Sequence, residues 1–267
     1  MAGPPHTGHA ALTVAGSDSG GGAGIQADLK TFAAHGVHGV CAVTAVTAQN
    51  TLGVRAFEPI SPALVVAQIT AVVDDFDVRA IKTGMLATRE VTGAVCDTLA
   101  LLSGIPLVVD PVMVATSGDR LLDYDAIECV RARLLPNARL VTPNLREAEI
   151  LAGMPIASLA DARRATARIR QTGVAAVVIT GGHLDGPDAI DLLDDGGTVL
   201  EFSGPKLESR NTHGTGCTFS AAITAGLARG RDLADAVAAA KRYVEGAIRH
   251  ASPLGGGRGP VHHFWDK

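Results

Sequence analysis

Residues 211–223 read NTHGTGCTFSAAI, a glycine-rich turn that runs directly into an apolar stretch. The apolar residues predict a buried helix, and Gly214 and Gly216 allow successive backbone N–H groups of the turn to converge on one point. The first turn of a helix carries unsatisfied N–H donors and the positive end of the helix dipole, which favour an anion there. The stretch therefore predicts a phosphate site, with Cys217 beside it.

On both sides of this turn, strand and helix signals alternate along the chain. LVVDP at residues 107–111 and LVTPN at residues 140–144 are short apolar runs that end in polar residues, as buried parallel strands do. The alternation predicts an α/β fold with a mostly parallel central sheet and helices on both faces. The other predicted elements are strands at 11–15, 39–47 and 175–180, a short strand ending at 82–85, a hairpin at 188–202, and helices at 25–34, 62–75, 89–102, 216–229 and 233–250.

The composition permits a large core. Of the 267 residues, 47% are apolar and 3% are aromatic, and the mean hydropathy is +0.24. Because no polar linker interrupts the alternating pattern, we expect one domain over residues 11–267, after a flexible lead-in over residues 1–10. The net charge is −4 and no cluster of Lys or Arg could neutralise a run of phosphates, which argues against a nucleic-acid partner.

The four cysteines, Cys41, Cys96, Cys129 and Cys217, are widely spaced and form neither a CxxC pair nor a Cys/His cluster. This spacing argues against a zinc site and against a disulfide framework. The apolar runs are too short to span a bilayer, and no signal peptide is visible. We therefore expect a cytoplasmic protein that has no membrane partner.

A second glycine-rich loop, SDSGGGAG at residues 17–24, follows the first predicted strand and precedes a helix. It satisfies the G-x-G-x-x-A pattern of dinucleotide-binding folds, but that interpretation needs an acid about 20 residues further on, where the sequence has Thr47 to Asn50. An NAD-linked oxidoreductase is therefore the weaker alternative. Asp18 and Asp28 flank the loop with polar groups that could hold a small substrate, and the Gln49 amide could both donate to and accept from a heterocyclic amidine.

Asn144 and Glu147 allow two interpretations. An Asn followed three residues later by Glu is the pattern of a capping box, and on spacing alone the cap is favoured. In the functional interpretation, Glu147 and Asp110, at the end of the neighbouring strand, hold Mg²⁺ through water, as phosphoryl transfer requires. Only the predicted phosphate site nearby favours this second interpretation.

Cys217 and Lys241 also have ordinary structural explanations. A lone cysteine is most often a small buried hydrophobe, and a lysine on the last helix is by default a solvated surface charge. The position of Cys217 at a helix N-terminus changes this expectation, because the dipole there lowers the pKa of a thiol and favours the thiolate. We therefore expect Cys217 to have a chemical role.

Five motifs in the same order resemble those of the bacterial hydroxymethylpyrimidine/phosphomethylpyrimidine kinase family, and the resemblance covers about residues 11–265. The motifs are AGSDS (15–19) with AGIQAD (23–28), AVTAQN (45–50), KTGM (82–85), DPVM (110–113) and THGTGC (212–217). The resemblance implies a ribokinase-like fold and the phosphorylation of a hydroxymethyl aminopyrimidine and then of its monophosphate, with ATP and Mg²⁺. It also implies a homodimer.

The resemblance further implies roles for residues at matching positions. The catalytic anion hole and its thiol would be Gly214, Thr215, Gly216 and Cys217. The pocket for the ring and its hydroxymethyl group would be formed by Gln49, Gly16, Asp28 and Met85. Magnesium and the nucleotide would be held by Asp110, Glu147, Asn144, His213, Lys241 and Thr180. Many members have a lysine where this chain has Thr180, so we expect weaker ATP binding here.

Two further alternatives remain on the sequence alone. A pyridoxal or pyridoxine kinase is the nearest, because relatives with this scaffold also carry a cysteine in the phosphate turn. Ala115 argues against it, since pyridoxal-using relatives place a second thiol in the segment after DPVM and this chain has none there. The other alternative is a nucleotide-binding module without catalytic activity.

Overall fold

The computed structural model describes residues 8–113, 124–182 and 186–267. Two features of the sequence-based predictions therefore lie outside the described residues. They are most of the lead-in and Ala115.

The described strands form one nine-stranded sheet, in the order β3-β2-β1-β4-β5-β6-β7-β8-β9. The strands are β1 (Ala10–Asp18), β2 (His38–Asn50), β3 (Gly53–Pro59), β4 (Val78–Thr83), β5 (Leu107–Val109), β6 (Leu140–Val141), β7 (Val177–Ile179), β8 (Asp188–Asp194) and β9 (Val199–Pro205). The strands from β2 to β7 in this order run parallel, whereas β3 at one edge and the β8–β9 hairpin at the other add antiparallel pairs.

Helices cover both faces of the sheet. They are α1 (Gly24–Ala34), α2 (Pro62–Val73), α3 (Arg89–Ala100), α4 (Tyr124–Cys129), α5 (Leu145–Ala152), α6 (Leu159–Arg170), α7 (Thr215–Ala228) and α8 (Leu233–Arg249). Val109 packs into a core with residues of α2 to α6, and its neighbour Val108 packs into another with residues of α7 and α8. Successive side chains of a strand point to opposite faces, so β5 contributes to both cores.

The predicted α/β fold, with a mostly parallel sheet between helices, is confirmed. The first strand extends beyond its predicted end at Ala15, because Ser17 and Asp18 still pair with β2. Strand β3 and helices α4 and α6 were not predicted, and α5 was indicated only by the capping-box pattern that begins at Asn144. None of the helices in the described ranges combines the length and apolarity that a membrane crossing requires.

Candidate active site

Polar residues collect at one edge of the sheet, because the carboxyl ends of its parallel strands meet there. From β2 across to β7, the strands end within three residues of Gln49, Asp18, Thr83, Asp110, Asn144 and Thr180. This edge faces the N-terminus of α7, which packs against β4 and β5. Open α/β sheets bind their ligands at the carboxyl ends of the strands.

The glycine turn before α7 has one face against the protein and one face open. Gly214 has φ +81°, and a Cβ there would overlap the carbonyl oxygen of Gly22. A Cβ on Gly216 would meet no heavy atom within 4 Å. Helix geometry leaves the first-turn N–H groups of Gly216 and Cys217 without intrahelical partners. The turn therefore presents backbone donors to an open space.

Asp18 contacts both glycine-rich segments, the loop of residues 17–24 and the turn before α7. Its carboxylate accepts hydrogen bonds from the N–H groups of Gly20 (2.8 Å), Gly22 (3.0 Å) and Ala23 (2.9 Å), and its Oδ2 lies 2.9 Å from Nε2 of His213. Burial raises the pKa of Asp18, but the hydrogen bonds, above all that from His213, hold it below its ordinary value. The Asp18 carboxylate thus fixes the conformation of the loop, and its oxygens are already hydrogen-bonded within the protein.

The four residues assigned to a ring pocket lie around this loop. A Cβ on Gly16 would lie 3.2 Å from Sδ of Met85, so the two residues face each other. Gln49 is half-buried, and its Nε2 lies 3.4 Å from Nε2 of His213. Asp28 is fully buried, and its Oδ1 has no hydrogen-bond partner in the described part of the chain. A buried acceptor without a donor is rare and is a candidate ligand contact.

Lys82 forms ion pairs with Asp28, a residue of the predicted ring pocket, and with Asp110, a residue of the predicted magnesium site. Its Nζ lies 3.0 Å from Oδ2 of Asp28 and 3.6 Å from Oδ2 of Asp110, and its side chain is fully buried. Oδ2 of Asp28 also accepts from Oγ1 of Thr13 at 2.6 Å. Burial lowers the pKa of Lys82, but the Asp28 and Asp110 carboxylates outweigh it and the pKa lies above its ordinary value. Lys82 is therefore a fixed buried cation, and it was not among the predicted site residues.

Cys217 lies beside this cation, and its predicted ionisation is wrong. Burial raises the pKa of the Cys217 thiol to about 12, with Lys82 opposing and Asp110 adding to the shift. A hydrogen bond from the N–H of Gly24 also opposes the shift without reversing it. The helix N-terminus alone indicated a thiolate, but burial and two carboxylates favour the neutral thiol.

Asn144 and Glu147 form the capping box at the start of α5. The Asn144 side chain accepts from the N–H of Glu147 at 3.1 Å, and the Glu147 carboxylate accepts from the N–H of Asn144 at 3.0 Å. Burial, with the Asp110 charge adding to it, raises the pKa of Glu147 to about 8. The structural interpretation of these two residues is therefore confirmed.

The carboxylates could share a magnesium ion with a ligand. In the described ranges, no group of three His, Cys, Asp or Glu side chains could hold a metal by itself. Mg²⁺ usually binds through one or two carboxylates plus substrate phosphates and keeps several waters. A cation near Asp110 and Glu147 would offset the repulsion that contributes to the raised pKa of Glu147. The residues present fit such an ion.

Thr180 and Lys241 lie on the far side of the turn from Gln49. Thr180 follows β7 and forms a parallel bridge with Asn144. Lys241 on α8 is 8% exposed, and its Nζ lies 3.1 Å from Oδ2 of Asp191, whose Oδ1 accepts from the N–H of Gly181 at 2.7 Å. The default expectation of a solvated lysine is therefore wrong, because this ion pair fixes Lys241 beside the end of β7.

Solved structures share this architecture. The chain aligns with a Bacillus subtilis pyridoxal kinase crystallised with ADP at a TM-score of 0.88 and 39% identity, covering 96% of this chain and 97% of that one. It aligns with a phosphomethylpyrimidine kinase from Clostridium difficile 630 at a TM-score of 0.80 and 42% identity, covering 89% and 98%. The fold is therefore ribokinase-like, the class to which these small-molecule kinases belong.

Sequence relatives define the family more closely. Residues 18–262 match the family described as phosphomethylpyrimidine kinase. The chain is 54% identical over 257 residues to a hydroxymethylpyrimidine/phosphomethylpyrimidine kinase of Rhizobium meliloti, covering 95% of this chain and 96% of the relative. A protein of the same name from Streptomyces coelicolor is 52% identical over 262 residues, covering 98% and 97%. The chain belongs to the phosphomethylpyrimidine kinase family.

Proposed function

We propose that this protein transfers the γ-phosphoryl group of ATP to the hydroxymethyl group of 4-amino-5-hydroxymethyl-2-methylpyrimidine, and then to the resulting monophosphate, in thiamine biosynthesis. The observation that carries the proposal is the turn before α7. Its amides face an open space at Gly216, next to the half-buried Cys217 and the buried pair of Lys82 and Asp28. A phosphoryl group bound there would lie beside a pocket that can recognise a polar ring.

The ring pocket in this proposal uses complementary hydrogen bonds. Oδ1 of Asp28 would accept a hydrogen bond from the substrate, which would satisfy a buried atom that otherwise has none. The Gln49 amide would form hydrogen bonds with the aminopyrimidine edge, and Gly16 and Met85 would enclose the ring. Gly16 provides room because even a methyl group there would press on Met85.

The transfer step in this proposal depends on positioning. The hydroxymethyl oxygen attacks the γ-phosphorus in line, the bond from that phosphorus to the β,γ-bridging oxygen breaks, and ADP leaves with the electron pair while the hydroxyl proton passes to an oxygen of the transferred group. The turn of Gly214 and Thr215 leads into the amides of Gly216 and Cys217, which stabilise the charge on that group. Because the pKa of the thiol is raised to about 12, Cys217 would contact the reacting atoms as a neutral group. The loose transition state of phosphoryl transfer needs little help from a strong base.

The nucleotide in this proposal extends from the turn towards β7 and β8. Asn144, Thr180 and Lys241 would lie along its phosphates, and His213 would help position the γ-phosphate from the other side. Asp110 and Glu147 would hold Mg²⁺ through water. When bound, the ion neutralises the charge on the phosphate oxygens. The ADP and AMP-PCP complexes of the structurally similar pyridoxal kinases support a nucleotide in this fold.

A coupled assay of ADP release tests the proposal. Hydroxymethylpyrimidine, its monophosphate, pyridoxal and ribose would be offered side by side at equal concentrations with ATP and Mg²⁺. We expect the highest kcat/KM for the first two substrates. Preferential turnover of pyridoxal would favour the alternative function of the pyridoxal kinases that share the fold. ATP binding without ADP release from any alcohol would indicate a module without catalytic activity.

Three further properties belong to this proposal. Residues 11–267 would act as one domain, which the single nine-stranded sheet of the described residues supports. The protein would be cytoplasmic, and it would form a homodimer, as the family resemblance implies. Size-exclusion chromatography with light scattering would measure the mass in solution, and a monomer at micromolar concentration would contradict the dimer.

A further inference from the structure

A groove of about 750 Å³ adjoins the candidate active site on the side of β2 and β3. Three segments line it: the turn between these two strands, residues 209–213 ahead of the phosphate turn, and glycine-rich residues 256–258. Among the described residues, no acidic side chain lines the groove, but two arginines do, Arg210 and Arg258. Its charge therefore favours an anion.

The walls of the groove are held together by backbone hydrogen bonds. The N–H of Arg258 donates to the carbonyl oxygen of Thr51 at 2.9 Å, and the N–H of Gly257 donates to Oγ1 of Thr51 at 3.2 Å. The N–H of His213 donates to the carbonyl oxygen of Gly259 at 3.0 Å. The C-terminal segment is thus fixed to both other walls. A fixed groove lowers the entropy cost of binding a ligand.

The position of the groove indicates which phosphate it would take. Gln49, which lines the groove, also belongs to the proposed ring pocket, and Thr212 and His213 connect the groove to the phosphate turn. Neither Thr180 nor Lys241 lines it. Strands β2 and β7 are five positions apart in the sheet, roughly 24 Å at the usual strand spacing. The groove therefore lies on the substrate side of the site, away from the proposed nucleotide side.

We propose that this groove binds the phosphate group of the phosphorylated substrate, through Arg210 and Arg258. The inference rests on the proposed function and explains how one site would accept both an alcohol and its phosphate ester. Arginine binds phosphate through paired N–H donors, and two arginines from separate segments can engage one group from two sides. Thr212 and His213 then place one oxygen of that phosphate beside the turn.

The second phosphoryl transfer needs no general base. An ionised oxygen of the substrate phosphate forms a bond to the γ-phosphorus of ATP, and the bond from that phosphorus to the β,γ-bridging oxygen breaks. The bridging oxygen and its electron pair leave with ADP, and the substrate becomes a diphosphate. No proton has to be removed from the attacking oxygen, so the groove needs only to bind and orient the group.

Steady-state kinetics with Arg210→Gln, Arg258→Gln and the double variant test this proposal. For the monophosphate, we expect KM to rise about tenfold or more in each variant, because a charged hydrogen bond is lost. For the alcohol and for ATP, we expect KM within twofold of the unchanged protein. Arg79→Gln, which removes an exposed arginine at the opposite edge of the sheet, serves as the matched control.

The results that would overturn the proposal are distinct from failure of the proposed function. An unchanged KM for the monophosphate, or an equal loss with both substrates, would show that the groove does not bind the substrate phosphate. Calorimetric titration of the monophosphate into the same variants measures binding without turnover. Unchanged affinity in the double variant would contradict the proposal even if the protein phosphorylated neither substrate.

Discussion

Nζ of Lys82 lies 3.0 Å from Oδ2 of Asp28, and both side chains are completely buried beneath the candidate active site. Asp28 cannot lose Lys82 without leaving an uncompensated charge in the core, because Lys82 is the cation that pairs with it in the described residues. We expect Lys82→Met to cost about 3–5 kcal/mol in the free energy of unfolding. Chemical denaturation measures this cost. Adding Asp28→Asn should recover part of it, and a single variant as stable as the unchanged protein would contradict the ion pair.

The phosphate turn allows a contrast between two glycines. A Cβ on Gly216 enters open space, so Gly216→Val should leave Tm within a few degrees of the unchanged protein but nearly abolish turnover by filling the phosphate position. Gly214→Ala should instead lower Tm, because its φ of +81° and the Gly22 carbonyl exclude a side chain. Calorimetry and the ADP-release assay separate these outcomes. Full activity in Gly216→Val would place the site elsewhere.

The Cys217 thiol should behave as a neutral group at physiological pH. Because its pKa is raised to about 12, we expect slow alkylation by iodoacetamide between pH 7 and pH 9, followed at this residue by mass spectrometry. Cys217→Ala should slow turnover by less than about 10²-fold, the lower limit for loss of a general base. Rapid alkylation at pH 7 would show that the thiolate forms after all.

Glu147 gives the ligand-free protein a specific pH dependence. Its pKa is raised to about 8, so between about pH 4.5 and 8 the folded state holds a proton that the unfolded state has released. Stability from this group is therefore lost as the pH rises through that range. Glu147→Gln keeps an acceptor for the capping box, and its Tm should exceed that of the unchanged protein at pH 8 by about 2–4 °C or more.

The Tm of Glu147→Gln at low pH serves as a control, and the same substitution should weaken Mg²⁺ binding. At pH 4.5, where Glu147 is protonated in the folded protein, we expect the two proteins to melt at the same temperature. The Mg²⁺ concentration for half-maximal activity should rise in Glu147→Gln. Equal Tm differences at both pH values would show that the Glu147 charge does not affect stability.

The family resemblance implies a phosphate-contacting lysine at the position of Thr180, which brings no charge. Thr180→Lys would add a cation to the proposed nucleotide side of the site, so we expect several-fold tighter binding of ATP. Thr180→Met provides a side chain of comparable length without the charge. Calorimetric titration with a nonhydrolysable ATP analogue measures both. Unchanged affinity in Thr180→Lys would remove the proposed phosphate contact.

Much of the fold could be predicted because its signals are local. The apolar runs before Asp110 and Asn144 are too short and too uniformly apolar for surface elements, and they form neighbouring buried strands as predicted. Strand β3 was missed because it is a largely exposed edge strand, so no buried face imposes an apolar pattern on it. Its existence depends on its pairing with β2.

The charges of the site could not be predicted in the same way. Lys82 lies in a strand segment that gives no local sign of a buried cation, and its partners Asp28 and Asp110 come from distant parts of the chain. The ionisation of Cys217 was misjudged for the same reason. Its position on the helix is visible in the sequence, whereas its burial and the nearby carboxylates follow from the tertiary fold.

The proposed function depends on the turn of residues 214–217, whose free amides would bind the terminal phosphate of the nucleotide beside Cys217. A crystal structure with AMP-PCP and Mg²⁺ tests it most directly. We expect the γ-phosphate within hydrogen-bond distance of the N–H groups of Gly216 and Cys217, with the metal near Asp110 and Glu147. A γ-phosphate bound instead at the glycine loop of residues 17–24 would show that the turn before α7 is not the phosphate site.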